Sequence, residues 1–125
     1  MDEDVVGLVT VLFGVVLLPA VSVPLTRAAA EGKVAPNGSA GIRTRHTRAS
    51  EAAWRAGHAA ALPRVRRTVG VATLTLGLAV AVQVLLGGAW GVVVAMVGFV
   101  VETVLLLAAA GPANRAARAA HSSAD

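Results

Sequence analysis

The sequence predicts an all-α integral membrane protein: three transmembrane helices, with a cytoplasmic loop carrying a short interfacial amphipathic helix. Three observations lead there. Of 125 residues, 56% are hydrophobic and the mean hydropathy is +0.72, too apolar for an ordinary soluble domain of this size. Three runs of 18 to 21 residues hold a single charge between them. All eleven basic residues lie outside those runs.

The first run, residues 5–25, has no charge and at about 1.5 Å per residue crosses a hydrocarbon layer of about 30 Å. Pro19 and Pro24 near its far end predict a kink or an early stop. A cleaved signal peptide is not expected, because Asp2, Glu3 and Asp4 replace the basic start such peptides need. Residues 69–87 form the second span, and residues 91–110 the third, joined through Gly87, Gly88 and Gly91 around Trp90. Residues 111–125 read as a polar tail containing His121. Within the spans, Gly7 and Gly14, Gly70 and Gly77, and Gly91 and Gly98 each recur seven apart. Each pair sets small residues along one helix face, which we read as ordinary close packing.

Orientation follows from charge. Nine of the basic residues lie between the first two spans, and Arg115 and Arg118 follow the third. Basic loops stay cytoplasmic, so the N-terminus is expected outside, with the loop and C-terminus inside a bacterial cell membrane. The absence of cysteine excludes disulfides, iron–sulfur clusters and thiol nucleophiles. No nucleophile elbow, phosphate-binding loop or dinucleotide fingerprint is present, so neither an enzyme nor a cofactor is expected. His46 and His58, twelve apart with no third ligand, make a poor metal pair, and no metal is expected. Arginines fixed at a membrane surface are badly placed for nucleic acid.

Residues 26–67 form the basic loop. Gly, Pro, Asn and Ser at turn spacing fill its first part, and residues 50–62 predict a short helix, capped by Ser50 and ended by Pro63. On that helix Trp54, His58 and Leu62 share a stripe, beside an expected Glu51–Arg55 ion pair. Such a helix belongs in the membrane interface with its Trp at headgroup level, and Arg64 and Arg66 read as headgroup and orientation charges. Arg43 and Arg45 flank Thr44, and a guanidinium beside a hydroxyl and backbone N–H groups suits a phosphate or carboxylate. Two readings of Arg43 stand at this point. It grips a lipid headgroup or peptide C-terminus, or it ties the loop to helix-end carbonyls, Glu51 or Glu102.

The pattern N-x3-G-I-R-T-x2-T-x2-S-x3-W-x3-H runs through Asn37, Gly41, Ile42, Arg43, Thr44, Thr47, Ser50, Trp54 and His58. It closely resembles the signature of the SdpI family, small bacterial membrane proteins named for an immunity protein that protects a producer against its own secreted toxic peptide. The resemblance covers residues 33–67. It implies a non-enzymatic membrane protein whose partners are membrane lipids, a peptide toxin, and a membrane-protein or self partner. The immunity prototype is longer, has more spans and couples to a transcriptional repressor, so this chain resembles its motif-bearing core.

Glu102 stands inside the third span, where an ionisable group is costly and suggests function by default. Counting residues from the turn sets it level with Thr75, with Gln83 nearer the outer surface, so polar partners are expected without a cation. The contrasting function is a small transporter or lipid-handling protein that uses Glu102 and the Arg43 loop.

Overall fold

Four helices account for most of the described chain: α1 (Glu3–Ala30), α2 (Glu51–Leu86), α3 (Trp90–Ala108) and α4 (Ala110–Ala124). The computed structural model describes residues 1–36, 38 and 40–124. Three of its helices are long and apolar enough to cross a membrane, with α3 and α4 counting as one nearly continuous rod. In α1 the Asp4 N–H donates to the Asp2 side chain, and Glu3 and Asp4 sit where the helix dipole favours negative charge.

Helix α1 does not stop at Pro19 or Pro24 but runs on to Ala30. A proline removes one N–H, and the bonds on either side of the gap hold the helix together. The same reason corrects the second expectation. Residues 50–62 are not a separate helix: Ser50 is the cap and Pro63 lies inside α2, a single helix of 36 residues and about 54 Å. Pro63 leaves only the Ala59 carbonyl without its helical donor, and both residues are exposed to solvent. Since roughly 20 residues cross the hydrocarbon, the uncharged run 69–86 spans, and about the first five turns of α2, residues 51–68, project beyond it.

The polar tail is also a helix. Pro112 sits in the first turn of α4, where its missing N–H costs least, and the chain folds on. Ala109, Ala113 and Ala117 are fully buried along one face against α2. They reach Gly57, where an added Cβ would lie 2.9 Å from Thr47 Cγ2 and 3.1 Å from the Ala113 carbonyl. Small residues on both sides allow this close crossing.

Glycine contacts also fix the register of the spans. Gly7 and Gly14 face Val92 and Phe99, so α1 and α3 run side by side in the same direction. A Cβ at Gly91 would strike Gln83, and one at Gly98 would strike Thr75, which sets α2 antiparallel to α3. Gly70 and Gly77 touch nothing within 4 Å, so two of the three glycine pairs pack inside the bundle and the third faces outward. The core divides accordingly. Leu8, Leu12, Ala79 and Ala95 pack at one end, and Ala61, Val65, Ala109 and Ala113 at the arginine-bearing end, partly covered by Val23, Ile42 and Leu106.

Candidate functional site

The loop between α1 and α2 is folded onto the projecting part of α2 by the motif residues themselves. Ser50 caps α2, its hydroxyl accepting from the Ala53 N–H at 3.0 Å, as its position predicts. One turn on, Trp54 is only 1% exposed, and its indole N–H donates to the Val34 carbonyl at 2.8 Å. Trp54 is therefore a core residue of this loop and not an interfacial anchor. The stripe that suggested a membrane-facing surface packs against the protein's own backbone.

His58, wholly buried, lies against Trp54 with ring centroids 4.3 Å apart. Its Nε2 accepts the Ile42 N–H at 2.8 Å, so Nε2 carries no proton. The other nitrogen, Nδ1, must then hold the hydrogen and donate it to the Trp54 carbonyl at 2.8 Å. Geometry thus assigns a neutral ring, and burial moves its pKa in the same direction, below the usual histidine value. Both nitrogens are committed, which leaves no lone pair for a metal. Gly41 lies flat on this pair, with φ +101° and its missing Cβ 2.9 Å from both His58 Nε2 and the Trp54 ring. Only glycine meets both conditions.

Beyond Ile42 the threonines close a turn. Thr47 is fully buried; its hydroxyl donates to the Ile42 carbonyl at 2.6 Å and accepts the Thr44 N–H at 3.0 Å. The Thr44 hydroxyl donates to Oδ1 of Asn114 at 2.5 Å, tying the loop to α4. Sequence reading missed Asn114. Its only signal was an amide in an alanine-rich segment, which local pattern does not distinguish from a solvated tail.

Arg43 is exposed and makes no hydrogen bond or ion pair with the described residues, so the tie to Glu51, Glu102 or a helix end is not formed. Asn37, the first residue of the motif, lies outside the described residues. The Glu51–Arg55 pair is also unmade. Arg55 instead lies across Gly32, its Nε 3.0 Å from where a Cβ would be, at the end of α1. Among the described residues the ion pair present is Lys33–Glu31, which holds the Glu31 carboxyl below its ordinary pKa. The helix-end tie belongs to Arg64, whose Nη1 donates to the Ala108 carbonyl at 3.0 Å.

Glu102 is fully buried, and neither carboxylate oxygen has a hydrogen-bond partner among the described residues. Thr75 and Gln83 do not serve it. They face Gly98 and Gly91, one turn and three turns away, and this register leaves Glu102 level with Ala72, a turn short of Thr68.

Three spanning helices capped at one end by an arginine-bearing loop and a fourth helix make this a multi-pass membrane protein. The model of the SdpI/YfhL protein family matches residues 33–112, from the loop through α2 and α3 into the first turn of α4, and the chain belongs to that family. No curated protein and no solved structure matches it.

Proposed function

We propose that this chain is a non-enzymatic, SdpI-type protein that confers immunity or envelope protection against a secreted peptide toxin, by binding an anionic group of a peptide or lipid at Arg43. One observation carries the reading. Among the described motif residues, Gly41, Thr44, Thr47, Ser50, Trp54 and His58 are all spent on holding the loop to α2 and α4, whereas the Arg43 side chain is exposed and uncommitted. A rigid loop that presents one guanidinium is a preorganised receptor for phosphate or carboxylate. The basic end of the bundle then faces the cytoplasm and the Gly87–Gly91 turn faces out.

The test is survival under challenge with the toxic peptide, with and without the gene. Arg43→Lys keeps the charge but loses the planar fork, and is expected to lose protection at unchanged abundance. Arg66→Lys and Arg67→Lys, both at exposed sites, are expected to protect like the native protein. Equal tolerance at all three positions overturns the reading. The second reading, a small transporter or lipid-handling protein, is favoured by the buried Glu102, whose carboxylate oxygens accept no hydrogen bond among the described residues.

A further inference from the structure

A carboxyl group without a partner in the dry core of a bundle demands an explanation, because the charged form there is very costly. No other titratable side chain faces Glu102 from the elements packed against it: residues 5–26 of α1 and 68–86 of α2 contain none. The buried Ser22 hydroxyl, which has no partner among the described residues, lies five residues farther along α1, and the hydroxyls nearer Glu102 are occupied elsewhere. Thr68 donates to the Val65 carbonyl at 2.6 Å, Thr103 to the Phe99 carbonyl at 2.9 Å, and Thr75 packs on Gly98.

Helix α1 supplies the missing group. Gly7 against Val92 and Gly14 against Phe99 define one constant offset between α1 and α3. Carried three residues beyond Phe99, it sets Glu102 level with residue 17, midway between Val15 and Pro19. Both side chains are buried, whereas Val16 and Leu17 between them are exposed, so Val15, Pro19 and the Val15 carbonyl that points along the helix from one to the other lie on the inward face. Pro19 has no N–H to give the Val15 carbonyl, which is therefore an acceptor without its helical donor. A carboxyl without a partner and a carbonyl without a donor stand at one level of one core.

We propose that Glu102 is a proton-binding site in which the carboxyl retains its proton and donates it to the main-chain carbonyl of Val15. One hydrogen bond then satisfies the acid and the proline-orphaned carbonyl together. The chain uses the same device at its other end. Pro112 has no N–H for the Ala108 carbonyl, and a side chain from another helix, Arg64, donates to it at 3.0 Å. The proton site does not rest on the Arg43 reading and makes Glu102 a neutral member of the core.

The full chain in phospholipid nanodiscs tests it in two ways. In infrared difference spectra at pH 7, a carboxylic-acid C=O band is expected that Glu102→Gln removes. Pro19→Ala, which returns an N–H to Val15, is expected to shift that band to higher wavenumber as the acid loses its acceptor. Thermal unfolding gives an independent sign. Pro19→Ala is expected to lower Tm in the native background but raise it in Glu102→Leu, where the orphaned carbonyl has no other donor. Absence of an acid band removed by Glu102→Gln shows a charged carboxylate and overturns the proposal. An unmoved band in Pro19→Ala, or the same sign of Tm shift in both backgrounds, overturns the assignment of Val15.

Discussion

Nη1 of Arg64 donates to the main-chain carbonyl of Ala108 across 3.0 Å, and the carbonyl is free to accept because Pro112 follows four residues later. A residue expected to be one headgroup charge among many therefore bridges α2 to the α3–α4 junction. Arg64→Ala should lower stability by about 1 kcal/mol, the usual net worth of such a bond at a partly exposed site. Pro112→Ala restores the helical N–H and should cancel most of that loss. Denaturant titration of both single variants and the double variant checks this, and strictly additive effects would refute the link.

Gly57 and Gly70 lie on the same helix and should respond to alanine with opposite signs. At Gly57 a Cβ meets Thr47 Cγ2 at 2.9 Å and the Ala113 carbonyl at 3.1 Å, so overpacking should cost about 1–3 kcal/mol and loosen α4. Nothing lies within 4 Å of Gly70, where alanine should gain up to about 1 kcal/mol from helix propensity. Hydrogen exchange at residues 113–121 is the measurement, and faster exchange is expected in Gly57→Ala alone.

The spans were legible because an apolar run of 18 or more residues with at most one charge has few other uses. The spacing of the loop motif was legible too, and its residues do gather at one place. Their partners were not. Thr44 meets Asn114 across 70 positions and Trp54 meets Val34 across 20, separations that no local pattern encodes. Helix α4 was overlooked although its alanines and its arginines fall on opposite faces at helical spacing, because Gly111–Pro112 reads as a stop and its short buried face holds nothing larger than alanine. Trp54 was misplaced for a general reason: an amphipathic stripe has the same period whether it faces lipid or protein.

Ala89 and Ala49, both exposed, sit at opposite ends of the bundle, at the turn before α3 and in the basic loop. The chain has no native cysteine, so single cysteines at these sites report cleanly. In intact cells an impermeant thiol reagent should label Ala89→Cys and leave Ala49→Cys unlabelled until the membrane is opened. The reverse result would invert the orientation drawn from the arginines.

The His58 ring holds the loop in its neutral form. Protonating His58 puts a hydrogen on Nε2, which faces the Ile42 N–H at 2.8 Å, so the bond is lost and two donors confront each other. The folded-state pKa is accordingly lowered by burial, while the unfolded chain keeps the ordinary value near 6.5. Above that value both states are neutral and His58 adds no pH dependence. Below it the unfolded chain takes up a proton that the folded loop resists, so stability falls by at most about 1.4 kcal/mol per pH unit until the folded pKa is passed. Trypsin reads this directly, since Arg43, Arg45 and Arg48 lie exposed in the segment that His58 secures. His58→Phe leaves the Ile42 N–H without an acceptor and should speed cleavage there at neutral pH, at a cost of about 1–3 kcal/mol in stability. It should also abolish the loss of stability below pH 6.5. His58→Gln, whose Oε1 can accept the Ile42 N–H, should keep the loop resistant and also be insensitive to acid. If loop cleavage and its pH dependence are the same in all three proteins, His58 does not hold the loop.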